Sequence, residues 1–255
     1  MVELKTPGEI DAMREAGRIV AQALAAVRGE AAVGVRLSQL DEVARGVLRE
    51  AGAESPFLGY KPHFASTPYP AVICTSVNDA ALHGIPDGYR LADGDLLSVD
   101  CGATLDGWTG DAAISLTVGQ AQDADTRLIQ TTQAALDAGI AAAVIGAKIG
   151  DVSAAIGAVG RAGGYGICTD YGGHGVGHTM HEDPSVPNNG KAGRGLPLRA
   201  GLVIAIEPWF LAGGVAKYRI DKDGWTIRSA DASRAAHIEH TIAVTEQGPR
   251  VLTAL

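Results

Sequence analysis

Asp100-Cys101-Gly102-Ala103-Thr104-Leu105-Asp106-Gly107-Trp108-Thr109-Gly110-Asp111 carries its own turn. Asp-Gly is the dipeptide that best tolerates the left-handed backbone of a two-residue hairpin loop. With that turn at Asp106-Gly107, Leu105 faces Trp108 and, counting back, Gly102 faces Asp111. Side chains alternate along a strand, so Asp100 lies on the face of Gly102 and therefore of Asp111. The two carboxylates become diagonal neighbours, roughly 7 Å apart. At that separation they repel unless a cation sits between them. Gly102 and Gly110 are read as clearing space beside the acids.

Outward from the hairpin, the N-terminal side opens with Thr6-Pro7-Gly8-Glu9, a capping box with proline at the first helical position. Ile10, Met13, Gly17, Val20, Ala21 and Leu24 recur at helical spacing, which predicts a helix over 7–28. A second helix is expected from Ser38 to Gly52. Residues 54–70, with Tyr60, Phe64, Pro68, Tyr69 and Pro70, read as a long ordered loop. Strands are expected at 71–75, 95–100, 112–118, 202–206 and 236–245, and helices at 123–146 and 150–163. The order is helix, helix, strands, helix, helix, strands. Strands outnumber the crossover helices of a doubly wound parallel sheet, so the fold class is α+β. No linker or low-complexity segment interrupts 1–255. The expectation is one compact unit made of two similar halves, about 1–120 and 121–255.

Composition narrows the function. With 29 acidic against 21 basic residues and a formal charge of −8, the chain lacks the basic balance of a nucleic-acid binder. Cys74, Cys101 and Cys168 are odd in number and far apart, which fits a reducing compartment and not a disulfide framework. Cys101 reads as a small hydrophobe. The N-terminus has no apolar core of a signal peptide, and no apolar run is long enough to span a bilayer. A cytoplasmic location is expected.

The second informative stretch is Gly172-Gly173-His174-Gly175-Val176-Gly177-His178-Thr179-Met180-His181-Glu182-Asp183-Pro184. Glycine this dense needs a reason, such as close approach of backbone to a ligand. By spacing alone, all three imidazoles are candidate ligands. Glu207 closes an apolar strand, and Glu239 sits inside a strand pattern. A lone glutamate in such a place is ordinarily a surface residue. Taken with Asp100, Asp111 and His174, however, these two make four carboxylates and an imidazole, a donor set for bridged divalent metals. His63 and His237 read as surface groups, His178 as a loop residue or a group just behind the site, and His240 as a partly buried strand residue.

Five blocks now stand in order: Asn78 to Pro86, the Asp100/Asp111 hairpin, Gly173 to Pro184, Ile206-Glu207-Pro208 and Glu239-His240-Thr241. Over nearly its whole length the chain resembles the methionine aminopeptidases of the bacterial type I class. The resemblance implies the pita-bread α+β fold, with two pseudo-twofold halves around a curved, mainly antiparallel sheet. It implies two divalent metal ions (Co, Mn, Fe or Zn) held by Asp100, Asp111, His174, Glu207 and Glu239, with Asp111 and Glu239 bridging, and a water activated between them. Glu207 would shuttle a proton, His181 would face the scissile carbonyl and His83 the scissile amide nitrogen. Tyr60, Tyr69, Cys74, Met180 and Trp225 would form the methionine pocket. Two departures touch that pocket: the Tyr60–Tyr69 loop is longer than the family's short form, and Met180 stands where relatives often place an aromatic.

The implied activity is removal of an N-terminal methionine ahead of a small second residue. The partner would be a peptide or nascent-chain N-terminus, with the ribosome as a candidate contact. No direct nucleic-acid site, no membrane and a monomeric state are expected. Two alternatives remain, an Xaa-Pro aminopeptidase or prolidase of the same fold and a binding protein that kept the fold without the chemistry.

Overall fold

The structure, a computed structural model, describes residues 2–62 and 65–255. His63 and Phe64, read above as a surface group and a loop aromatic, lie outside the described residues. In chain order the elements are α1 (Pro7–Glu30), α2 (Leu37–Glu50), β1 (Ile73–Val77), β2 (Ala80–Leu82), β3 (Leu96–Leu105), β4 (Trp108–Thr117), α3 (Asp123–Ala142) and α4 (Ile149–Ala162). Then come β5 (Gly166–Ile167), β6 (Gly173–Gly175), β7 (Glu182–Val186), β8 (Val203–Ile206) and β9 (Trp209–Leu211). The last are β10 (Tyr218–Ile220), β11 (Ile227–Ser229), β12 (Ala235–His237), β13 (Glu239–Thr245) and β14 (Gly248–Val251).

The capping box forms as expected. Glu9 Oε2 accepts the Thr6 N–H at 2.7 Å, and Thr6 Oγ1 accepts that of Glu9 at 3.4 Å. Ile10, Met13, Val20 and Leu24 of α1 are buried. Asp106 and Gly107 take φ of 49° and 81°, the backbone that a two-residue hairpin turn requires. The register follows from it, with Leu105 opposite Trp108 and Gly102 opposite Asp111.

The main sheet runs β1-β3-β4-β13-β8-β6-β7, with β14 beside β13, and every pairing in it is antiparallel. Two three-stranded sheets, β10-β11-β2 and β12-β9-β5, pack around it. This is the α+β architecture expected. Leu97, Val99, Cys101 and Ala103 of β3 pack with Val20, Leu24 and Leu40 of α1 and α2. Ile204, Ile206, Ile242 and Val244 pack with Leu128, Leu136 and Ile156 of α3 and α4. Both helix pairs therefore cover one side of the sheet and leave the side of Asp100 to the site.

Three local expectations need correction. The run 236–245 is two strands and not one, because Ile238 leaves the ladder and donates its N–H to Pro208. The helix expected over 123–146 stops at Ala142, since Val144 to Ala147 turn toward Leu196–Leu198. β5, β6 and β9 to β11, of two or three residues each, are too short for a period-2 pattern to register, and β7, though five long, reads Glu-Asp-Pro-Ser-Val with no apolar alternation. Among the described residues, no helix is long and apolar enough to cross a membrane.

Candidate metal centre

The registers put the predicted ligands on one face of one sheet, in two neighbouring rows. Cys74 pairs with Asp100, Asp100 with Ala113, and Ala113 with Glu239. His240 pairs with Ile206, so one step along the same register brings Glu239 opposite Glu207. The second row runs from Gly102 to Asp111, passes Thr241 and its partner Ala205, and ends at His174 in β6. Residues two apart on a strand share a face. Asp100, Asp111, His174, Glu207 and Glu239 therefore converge without any loop having to fold inward. Thr241 locks the centre: its hydroxyl accepts the N–H of Asp111 at 3.0 Å and donates to the Asp111 carbonyl at 2.7 Å.

Distances agree. His174 Nε2 lies 4.0 Å from Asp111 Oδ2 and 3.7 Å from Glu207 Oε1. Donor atoms of Asp111, His174 and Glu239 all lie within 4.8 Å of one another. Asp111 and Glu239 are 4% and 2% exposed, so Glu239 is not the ordinary surface glutamate that its position alone would suggest. Asp100 Oδ1, Asp111 Oδ1 and Glu239 Oε1 are buried with no hydrogen-bond partner among the described residues. Burial, reinforced by the neighbouring acids, lifts Asp100 and Glu239 well above the usual carboxylate range. Asp111 rises to about 6, again from burial, although His174 draws it down. Burial also pushes Glu207 up, but the imidazole of His237 beside it, with those of His174 and His181, pulls harder, and Glu207 titrates below its usual range. These buried carboxylates have orphaned oxygens and, among the described residues lining the cavity, no lysine or arginine, so a cation is what would complete the site.

His237 was misread. It is 2% exposed, and its Nε2 sits 3.5 Å from Glu207 and 3.7 Å from Glu239, making a second candidate donor group with them. Both contacts are too long for a made hydrogen bond, and the nitrogen has no partner among the described residues. The signal was present in the chain: His237 and Glu239 are two apart in an apolar run.

The remaining predicted residues complete one cavity of about 440 Å³. His83, His181, Tyr60, Tyr69, Cys74, Met180 and Trp225 all line it together with the acids. Tyr69, Cys74, Met180 and Trp225 are buried in one apolar cluster with Phe57. The long 54–70 loop supplies Phe57, Tyr60 and Tyr69, and it is pinned where the Tyr69 N–H donates to the Tyr60 carbonyl and the Gly59 N–H to the Tyr69 carbonyl, both at 2.8 Å. The Tyr69 hydroxyl donates to the carbonyls of Ile73 and Gly84, so it is committed to the scaffold. Burial drops His83 to about 4, and its Nδ1 has no partner among the described residues. His181 opens toward the cavity, 4.2 Å between ring centroids from His174. Desolvation by the surrounding protein, then the His174 imidazole, brings it to about 3. Both imidazoles are neutral at neutral pH and keep one N–H to donate.

The other histidines and the glycines have structural uses. His178 stacks on Trp108 at 3.8 Å, with Nδ1 2.8 Å from the Gly107 carbonyl, and His240 Nδ1 lies 2.8 Å from Thr253 Oγ1. The glycines expected to pass close to a bound peptide are needed for internal packing. A Cβ on Gly173 would strike the Ala205 carbonyl, and one on Gly175 the Asp183 carbonyl. Gly102 makes room for Pro56 and Phe57, and Gly110 for Gly17 of α1.

Known proteins agree with this geometry. Residues 11–246 match the profile of metallopeptidase family M24. Methionine aminopeptidase 1 of Mycobacterium tuberculosis is 51% identical over 260 residues, covering 99% of this chain and 95% of its own. Methionine aminopeptidase of Aquifex aeolicus is 42% identical, covering 100% and 99%. The crystal structure of methionine aminopeptidase from Thermotoga maritima superposes with a TM-score of 0.95 at 37% identity, over 100% of both chains. With the fold, the converging ligand set and these likenesses together, the chain belongs to metallopeptidase family M24, in its branch of bacterial type 1 methionine aminopeptidases.

Proposed function

We propose that this protein removes the N-terminal methionine from peptides and nascent chains whose second residue is small, with two divalent cations at the sheet. One observation carries the reading: four carboxylates and an imidazole share a single sheet face, and three of the carboxylates have an oxygen with no protein partner. Asp100, Asp111, His174, Glu207 and Glu239 would hold the cations. The donor groups Asp111–His174–Glu239 and Glu207–His237–Glu239 share Glu239, which supports two ions and not one. Mixed oxygen and nitrogen donors suit Co, Mn, Fe or Zn. When bound, such ions supply Lewis acidity, polarising a carbonyl and acidifying water.

The chain's own groups do the rest. Glu207 is ionised at neutral pH, so its carboxylate can take a proton from water and return it to the departing amine. His181, neutral and at the cavity side of His174, donates its N–H to the carbonyl oxygen as charge gathers there. His83, also neutral, orients the scissile amide. Tyr60, Tyr69, Cys74, Met180 and Trp225 take the unbranched thioether side chain. The acidic floor attracts the free α-amine, which restricts cleavage to chain ends. We read 1–255 as one catalytic unit of two halves: about 1–120 brings α1–α2 with Asp100 and Asp111, and the remainder brings α3–α4 with His174, Glu207 and Glu239. A cytoplasmic site of action on chains leaving the ribosome suits this substrate.

The test is hydrolysis of Met-Ala-Ser against an Xaa-Pro peptide, before and after chelation and metal add-back. Release of methionine that chelation abolishes and metal restores is expected. Preference for the Xaa-Pro peptide would move the enzyme to the prolidase class, and no cleavage of either would leave a binding protein.

A further inference from the structure

Lys5 is almost wholly buried, its side chain 2% accessible, yet it lies in no cavity described above. Its ammonium sits 2.8 Å from Glu182 Oε2 and 3.3 Å from Glu3 Oε2. Its backbone is fixed as well. The Lys5 N–H donates to Gly201 at 2.7 Å, and the next residue is the N-cap of α1. Glu182 uses its other oxygen, Oε1, to accept the N–H of Thr179 at 3.2 Å. Gly177 closes the arrangement. A Cβ there would lie 2.5 Å from Glu182 Oε1 and 2.6 Å from Lys5 Nζ, so the ion pair is seated directly on its bare Cα.

The loop so enclosed, 177–182, carries Met180 into the apolar pocket and His181 beside His174. Its other anchors are the pairing of Glu182 with Gly175 in the β6–β7 ladder, the Thr109 N–H donating to the Gly177 carbonyl, and His178 Nδ1 2.8 Å from the Gly107 carbonyl. A buried ammonium is costly to hold, and a loop this short could close without one. We infer that Lys5 is a positioning residue: through Glu182 it fixes the 177–182 loop, and thereby the placement of His181 against the substrate carbonyl. The inference rests on the role given to His181 above. A shift of about 1 Å in such a group costs on the order of 10²-fold in rate.

The experiment uses Lys5→Met and Glu182→Gln, each alone and combined with His181→Ala, in the metal-loaded full chain. Glu182→Gln keeps an oxygen for the Thr179 N–H and covers the case in which Lys5→Met does not fold. For every variant kcat and KM on Met-Ala-Ser, metal content and Tm are measured. Lys5→Met should lower kcat by about 10²-fold and Glu182→Gln by about tenfold, with metal content unchanged. Neither should lower kcat further once His181 is alanine, because the group they position is gone. Equal losses in both backgrounds, or a drop in Tm with kcat intact, would mean a structural role only and overturn the inference. If His181→Ala alone leaves kcat intact, the reading of His181 falls and the inference with it. A large loss in His181→Ala with none in Lys5→Met overturns the inference alone.

Discussion

The cavity has two walls of different construction. Its floor is sheet: Asp100, Asp111, Glu239, Glu207 and His174 stand in adjacent rows whose positions follow from backbone registers. Its rim is loop: Tyr60, Met180, His181 and Trp225 are held by side-chain contacts and turns. A sheet ladder cannot slip by one residue without turning every acid to the other face. Loops can change length and residue type while their ends stay put. The groups proposed to bind metal thus sit where the chain has least freedom, and those proposed to choose a substrate sit where it has most.

If that division is right, the largest effect belongs to the floor. Asp111→Asn keeps shape and the Thr241 clamp, which involves only backbone groups of residue 111. It removes a charge shared by the ligand set. Metal content should fall together with kcat/KM, the latter by about 10³-fold or more. The metal-free variant should also unfold at a higher temperature than metal-free wild type, since one repelling carboxylate is gone. Full metal content and activity would mean that the floor is not where the chemistry lies.

The same difference explains what could be read from the chain. Asp106-Gly107 sets its own register, so the relation of Asp100 to Asp111 followed from counting. The start of α1 was equally local, because a capping box satisfies its own donors within four residues. Glu239 could be read only from the combined donor set, and His237, two residues before it, was taken for a surface group. Burial of an acid or an imidazole in a strand depends on what crosses over it, and here that is the neighbouring rows of β4 and β8. The role of Gly177 was hidden for a like reason. Its steric partner, Lys5, is far away in sequence.

The floor also predicts a pH dependence, opposite in sign to that of His83 and His181. The lowered values of those two contribute stability that is complete above the unfolded value and lost as pH falls through the folded one. Asp111 rises from 3.8 in the reference state to about 6 in the fold, and Asp100 and Glu239 are raised as well. A raised carboxyl contributes stability that is complete below the unfolded value and lost as pH climbs through the folded one. At about 1.36 kcal/mol per pH unit, Asp111 alone accounts for on the order of 3 kcal/mol. Glu207, shifted the other way, gives part of this back above its unfolded value. The histidine contribution is common to both states, so the Tm of chelated protein should fall relative to that of metal-loaded protein from about pH 4 to about pH 7, because bound cations favour the ionised ligands. Parallel curves with and without metal would show that these carboxylates are compensated by something other than a cation.

The smallest effect is expected at the rim, and Met180 isolates it. The side chain is 7% exposed and packs with Phe57, Tyr69, Cys74 and Trp225, all lining the cavity. Truncating a residue sealed in a core leaves a void and costs about 2–5 kcal/mol. Met180 borders a space that already admits solvent, so Met180→Ala widens the pocket without sealing in a void. Its Tm should change little and its metal content not at all. Lost contact with the substrate thioether should lower kcat/KM on Met-Ala-Ser by about tenfold, mainly through KM. The widened slot should at the same time narrow the discrimination against bulkier first residues, measured with a Phe-Ala-Ser peptide. A variant that lost metal or kcat instead would couple rim to floor through His181 next in sequence, and the two walls would then be one device.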